Sequence, residues 1–229
     1  MSGDAREIGS LDNLSLEGPG IASDAVEAIR LALPKGRMQE GVLKLLSDAG
    51  IDVRLGAREY RPSINLPNYD VKMLKPQNIL EMLDIGSRDL GFAGHDWVLN
   101  LGVDVIELLD TQMDPVRIVV AGRSPEIFEE AIKGTRQVII ASEYEKLTKD
   151  WIQRRGVNAR FVRAYGATES FPPEDADLIV DNAATGSTLK ANGLIVFDEV
   201  MRSSTRLFCS REAFNNPEKR KRRMYRGSF

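Results

Sequence analysis

Ala176-Asp177-Leu178-Ile179-Val180-Asp181-Asn182-Ala183-Ala184-Thr185-Gly186-Ser187-Thr188-Leu189-Lys190-Ala191-Asn192 moves from an apolar run to an acid, then through small residues into a helix-forming segment. A buried parallel strand that delivers an anion cradle at its carboxyl end has this pattern. Thr185, Ser187 and Thr188 supply three hydroxyls. Gly186 lets main-chain N–H groups come close to an anion, and a helix starting near Ser187 adds its positive end. The Gly-x-x-x-x-Gly-Lys spacing that wraps a nucleoside triphosphate is missing, so the loop suits a monophosphate. The competing reading is a core strand followed by a well-capped helix.

Working outward, strand and helix signals alternate. Before the loop, strands are expected at 28–33, 71–74, 89–93, 103–109, 116–121, 138–141 and 159–163. Helices are expected at 38–49, from 76 to 83, at 97–101 and at 144–155, several of them ended by Gly. After the loop, 195–208 reads as one long strand or two short ones. The expected fold class is therefore α/β with mostly parallel sheets, in two lobes separated by a cleft. One lobe would combine 26–115 with 196–229, and 116–195 would form the other. Residues 1–25, rich in Gly, Ser and acids, read as a flexible tail without a signal-peptide run. Asn216-Pro217 opens a basic end that reads as a shortened helix or a frayed tail.

With 229 residues, 42% hydrophobic and 28% charged, the chain has the balance of an ordinary soluble protein with a real core. Its net charge of −3 gives no support to nucleic-acid or membrane binding. No window reaches the length of a membrane span. The single cysteine, Cys209, excludes an internal disulfide and fits a reducing, cytoplasmic setting. It follows Leu207-Phe208 and reads as a strand residue. The only histidine, His95, has no Gly-x-Ser-x-Gly elbow to serve, so a Ser-His-Asp hydrolase is disfavoured.

Asp181 through Gly193 resembles the phosphoribosyl-pyrophosphate loop of the ATP phosphoribosyltransferase family, the first enzymes of histidine biosynthesis. Three further segments resemble the family in the same order: Leu33-Pro34-Lys35-Gly36-Arg37, Asp89 through Asp96, and Gly166-Ala167-Thr168-Glu169. The resemblance spans about 29–220. It implies a fold like the type II periplasmic binding proteins, with the ligands at the hinge. It also implies displacement of pyrophosphate from phosphoribosyl pyrophosphate by N1 of the adenine of ATP, through a transition state of oxocarbenium character. Magnesium would enter on the pyrophosphate rather than in a protein cage.

On this resemblance the loop Thr185, Gly186, Ser187, Thr188 and Leu189 takes the 5′-phosphate. Asp181 accepts from the ribose hydroxyls, and Glu169 acts electrostatically nearby. Lys35, Gly36 and Arg37 follow a strand and meet the leaving pyrophosphate. Either Arg58 or Arg61 bridges the two substrates, with Arg61 favoured. Lys75, Asp96, Arg117 and Asp177 complete the binding candidates. Two departures stand out. Lys75 occupies a usual arginine position, where an ammonium is a poorer bidentate clamp. Asp114-Pro115-Val116 replaces a Gly-x-Cys run before Arg117.

The resemblance implies a homo-oligomer. It also implies either the family's short form, which works with a regulatory subunit related to histidyl-tRNA synthetase, or a truncated long form. Two rivals remain at this level. A type I phosphoribosyltransferase shares the Thr-Gly-x-Thr-Leu loop but needs two adjacent acids before it, and here Asn182 follows Asp181. A two-lobed binding or regulatory relative without turnover is the other.

Overall fold

The computed structural model describes residues 27–56 and 60–224, except for the side chains of 221–224. The expected tail at 1–25 and the candidate Arg58 lie outside the described residues.

Strand β1 (Ile29–Pro34) sends Ile29, Leu31 and Leu33 into one core and Ala32 into another. This is the period-two division required of a strand covered on both faces. After a 3-10 turn at Gly36–Met38, α1 (Gln39–Asp48) lays Val42 and Leu46 on the first of these cores. The short antiparallel pair β2 (Val53–Arg54) and β3 (Ser63–Ile64) brackets the loop bearing Tyr60 and Arg61. β4 (Tyr69–Leu74) runs parallel to β1, and α2 (Pro76–Asp84) covers the opposite face with Ile79, Leu80 and Leu83. β5 (Leu90–Gly94) joins β1 on its other side, and α3 (His95–Leu101) follows without a linker.

Instead of two strands at 103–109 and 116–121, one strand, β6 (Val105–Gly122), runs through both regions. The sequence signal that divided them, Asp114-Pro115, sits opposite a register shift between Ser203 and Thr205 of the partner strand. A proline has no N–H to give a ladder, and a bulge is where that loss costs least. Gln112 and Asp114 take positive φ there, at 56° and 48°.

The second lobe contains α4 (Pro125–Ile132), β7 (Val138–Ser142), α5 (Glu145–Arg155), β8 (Ala159–Arg163), a 3-10 turn at Thr168–Ser170, β9 (Leu178–Ala183) and α6 (Ser187–Ala191). Helix α4 is not among the expected elements, although Ser124 caps it by accepting from the Ile127 N–H and Pro125 opens it. Trp151, Leu147 and Tyr144 of the α5 region cover one face of this sheet, over Ile118, Val120, Ile140, Leu178 and Val180. The opposite core holds Val119, Ala121, Ile179 and Leu189.

β10 (Ile195–Ser210) returns as one long strand antiparallel to β6, and α7 (Arg211–Asn215) and α8 (Pro217–Met224) follow it. The basic end is therefore a helix as far as Met224. Lys219 anchors it, its Nζ lying 3.1 Å from Asp89 and 2.8 Å from Glu27. Cys209 is a buried strand residue in the first core.

Among the described residues the main sheet has the order β4-β1-β5-β10-β6-β9-β7-β8. Both lobes repeat one plan. In each, the first strand is flanked by the second and third in parallel, and an antiparallel crossing strand borders the third. The carboxyl end of β5 meets β10 at Gly94–Thr205, and that of β9 meets β6 at Ala183–Arg117. Both points lie near the middle of the crossing pair, so the carboxyl ends of the two sets of parallel strands, where open α/β sheets bind ligands, face the same cleft.

Candidate active site

The cleft has a volume of about 380 Å³. Lys35, Gly36 and Arg37 approach it from the end of β1, and Lys75 from the end of β4. Gly36 makes the turn after β1 possible, since its φ of +80° is one that side chains disfavour. The ammonium of Lys35 stands 3.5 Å from the centroid of the Tyr60 ring, which is itself 62% exposed. This cation–π contact holds the lysine head at the rim without neutralising it.

The facing side is acidic. Glu143 enters from the end of β7, and Asn182 from β9 directly after Asp181. Burial pushes the Asp181 carboxyl up to about 6. The Asn182 N–H, 2.7 Å away, works against that rise, while the negative charges of Glu169 and Glu143 add to it. Glu169 belongs to the 3-10 turn at Thr168–Ser170, which packs on β9. Three carboxylates from separate segments thus share one region of the second lobe.

Beyond Asp181 the strand ends, and the chain turns through Gly186 at φ +75° into α6. The Thr185 and Ser187 hydroxyls lie 2.9 Å apart, and Thr185 Oγ1 also accepts from the Ser187 N–H at 3.3 Å. Thr185, Ser187 and Thr188 are exposed, while Leu189 is buried and pins the loop to the core. A strand end, a left-handed glycine and exposed hydroxyls make a polar cradle adjoining the acidic side of the cleft.

Residues 75–226 match the family model for ATP phosphoribosyltransferase. The chain belongs to the ATP phosphoribosyltransferase family. It is 35% identical over 201 residues to an ATP phosphoribosyltransferase of Pelotomaculum thermopropionicum, covering 85% of this chain and 68% of the relative. A Chlorobium phaeobacteroides relative of the same name is 35% identical over 202 residues, covering 85% of this chain and 67% of its own. A solved structure, the ATP phosphoribosyl transferase (HisG:HisZ) complex from Thermotoga maritima, superposes with a TM-score of 0.72 at 26% identity. That match covers 85% of this chain and 92% of the solved one.

Within this ATP phosphoribosyltransferase-family chain, the expected site residues separate by position. Lys35, Gly36, Arg37, Lys75 and Asp96 meet in the cleft. Asp181, Glu169 and the Thr185–Leu189 loop gather beside it. Asp96 is only 3% exposed, however, and its carboxylate accepts from the hydroxyls of Tyr144 and Ser203. Arg117 lies at the crossing, opposite Ala183, with a loose 3.7 Å contact to Glu199. Arg61 is exposed on the loop beside Tyr60, 3.8 Å from Asp70.

Asp177 is a correction. It precedes β9, at the end of the strand remote from the cleft, about 20 Å from Ala183 at the usual strand rise. There it pairs with Arg136 at 2.7 Å and accepts the Ile139 N–H at 2.8 Å. Asp89 does the same before β5, accepting the Arg30 N–H at 2.8 Å and pairing with the Arg30 guanidinium at 2.7 Å. Each acid ties the third strand of its lobe to the first, which is a structural duty.

Sequence reasoning missed Glu143 and Tyr144 in the cleft, along with Trp97 and the part played by Asn182. One available signal was position. Glu143 follows β7 as directly as Lys35 follows β1, and ligands sit beyond such strand ends.

Proposed function

We propose that this cleft carries out the transfer for which the family is named. N1 of the adenine ring of ATP attacks C1 of 5-phosphoribosyl 1-pyrophosphate. The C1–O bond breaks, and its electron pair leaves with pyrophosphate. The products are N1-(5-phosphoribosyl)-ATP and pyrophosphate, which is the first step of L-histidine biosynthesis. The observation that carries this reading is the cationic lining of Lys35, Arg37 and Lys75 in one cleft with Glu143, whose charge is felt by Asp181 beside that cleft. A displacement that expels an anion from a cationic sugar needs both charges at separate places.

In this reading Lys35 and Arg37 meet the pyrophosphate as charge grows on it, and Lys75 and Arg61 hold further phosphate groups. The Thr185–Leu189 loop holds the 5′-phosphate through hydroxyls and main-chain N–H groups. Asp181 accepts from the ribose hydroxyls, and with Glu169 favours positive charge at C1. Magnesium enters as part of the pyrophosphate substrate, its other ligands being substrate oxygens and waters. The lobe of 26–115 with 196–229 then handles the pyrophosphate and the phosphates of ATP, and the lobe of 116–195 handles the sugar with its 5′-phosphate.

The solved Thermotoga maritima relative is a complex of HisG with HisZ. We extend this to a HisZ-like regulatory partner for the present chain, acting with a homo-oligomer in the cytoplasm. Neither a type I phosphoribosyltransferase nor a non-catalytic relative is favoured by the comparisons.

The test is direct. The chain is mixed with ATP, phosphoribosyl pyrophosphate and magnesium, with and without a HisZ-like subunit, and phosphoribosyl-ATP is followed by its absorbance. Product is expected, and its absence in both mixtures would overturn the reading.

A further inference from the structure

We infer that Asp96, Tyr144 and Asn100 form a clasp between the lobes that sets the spacing of the two cleft walls, so that Tyr144 and Asn100 are positioning residues for the transfer. This rests on the reading of the cleft given above.

The lobes are joined covalently by β6 and β10, and the middle of that pair is its least regular part. The register shifts between Ser203 and Thr205, and Gln112 and Asp114 take positive φ. A crossing of this kind bends easily unless something else spans the lobes.

The span is made by α3 from one side and the start of α5 from the other. Tyr144 donates its hydroxyl to Asp96 Oδ2 at 2.9 Å, and its ring stacks on Trp97 with centroids 4.6 Å apart. Asp96 Oδ1 accepts from the Ser203 hydroxyl at 2.6 Å, and the Asp96 N–H donates back to that oxygen at 3.0 Å. A carboxylate buried this deeply needs each of those donors, because an unmet lone pair in the interior is costly. Burial and the neighbouring Asp96 hold the Tyr144 hydroxyl well above its usual range, so it stays a donor.

One turn further along α3, Asn100 Oδ1 accepts from the N–H groups of Lys146, at 3.0 Å, and Leu147, at 3.3 Å. The residue at the N-cap position of α5, Tyr144, makes no side-chain cap bond. The first turn of a helix in one lobe is therefore capped from the other lobe.

The acidic wall is built onto this clasp. Glu143 is the residue before Tyr144. Asn182, next to Asp181, points its amide at the Tyr144 hydroxyl at 3.5 Å. Ser142 accepts the Tyr144 N–H at 2.9 Å and donates to the Val180 carbonyl at 2.5 Å, binding β7 to β9. On the other side α3 extends β5, which pairs with β1, the strand that delivers Lys35 and Arg37. Loosening the clasp would let one wall shift against the other while leaving each wall intact. A misplacement of about 1 Å at a reacting centre can cost on the order of a hundredfold in rate.

The experiment compares Tyr144→Phe, Asn100→Ala and Asn100→Asp by steady-state kinetics in both substrates, at a temperature well below each melting point. Asn100 does not line the cleft, and Asn100→Asp keeps an acceptor for the α5 cap. The expected result is a kcat lowered about tenfold or more in Tyr144→Phe and Asn100→Ala, with KM values within about twofold and kcat largely restored in Asn100→Asp. Unchanged kcat in Asn100→Ala overturns the clasp. So does a rise in KM confined to Tyr144→Phe, which makes Tyr144 a substrate contact. A second readout needs no turnover: spin labels on Asn78→Cys and Lys149→Cys should show a broader inter-lobe distance distribution when Asn100→Ala is added. An unchanged distribution overturns the clasp even in a folded, inactive chain, whereas an inactive wild type with a narrow distribution overturns only the functional reading.

Discussion

The lobe built on β1, β4 and β5 and the lobe built on β7, β8 and β9 present the same strand ends to one cleft, yet they fill those ends with opposite charge. Lys35, Arg37 and Lys75 stand on one side; Glu143, Asp181 and Glu169 gather on the other. At the remote ends the lobes share one device, with Asp89 and Asp177 each accepting an N–H from the first parallel strand of its lobe and pairing with an arginine. The comparison teaches that the repeated fold specifies where chemistry can occur, and that the few residues past the strands specify which chemistry. In the function proposed above, remote ends serve stability and cleft ends serve the reaction.

The largest test of that contrast is Arg37→Ala, which removes a cation from the side proposed to meet phosphate. It should lower kcat/KM by about 10²–10³-fold, as for loss of a preorganised charge partner of a leaving group. A change under threefold would break the assignment of the cationic wall.

Asp181→Asn should lower kcat by about 10–100-fold, the range expected when a charged hydrogen-bonding group is lost. The same change should raise the melting temperature at pH 8. The sign follows from the carboxyl being pushed up to about 6: above that pH the fold holds a buried charge it disfavours, and the neutral amide relieves it. For the wild type, kcat/KM should fall as pH drops through about 6, as the carboxylate takes up its proton. A flat profile between pH 5 and 7 (about one unit either side of that value) would remove Asp181 from the reaction.

Thr188→Ala should raise KM for phosphoribosyl pyrophosphate about tenfold and leave KM for ATP alone, since one hydroxyl donor to a phosphate is lost. Equal effects on both substrates would count against the loop as a phosphate cradle. Tyr60→Leu frees the Lys35 head from its ring and should change kcat/KM by only about two- to fivefold. Arg136→Gln, at a remote end, should lower the melting temperature and leave kcat where it was. An activity loss there would blur the division between the two ends.

Much of the fold is legible because doubly covered strands are apolar along their length and are stopped by Gly, Pro or an acid. Residues 178–181 and 138–141 read correctly for that reason. The continuity of β6 was not legible, because Asp114-Pro115 breaks a strand pattern unless the partner strand bulges opposite it, and that partner lies some ninety residues away. Helix α4 was legible in principle from Ser124-Pro125, whose capping is the ordinary kind.

The site divides in the same way. Thr185 through Leu189 and Lys35 through Arg37 declare themselves by glycine, hydroxyls and cations at a strand end. A lone glutamate such as Glu143 declares nothing, since its residue type is everywhere on protein surfaces. Asp177 misled because an acid beside a motif looks the same at either end of a strand.

The sequence alone determined the strand–helix alternation, the strand-to-helix loop at Thr185–Leu189 and the family, because local apolar periodicity and contiguous motifs need only neighbouring residues. Tertiary structure alone decided that Glu143 faces Lys35, that Asp96 is sealed under Tyr144, and that Asp181 holds its proton up to about pH 6. Burial and electrostatic field depend on which distant segments come together, and that information belongs to the folded chain.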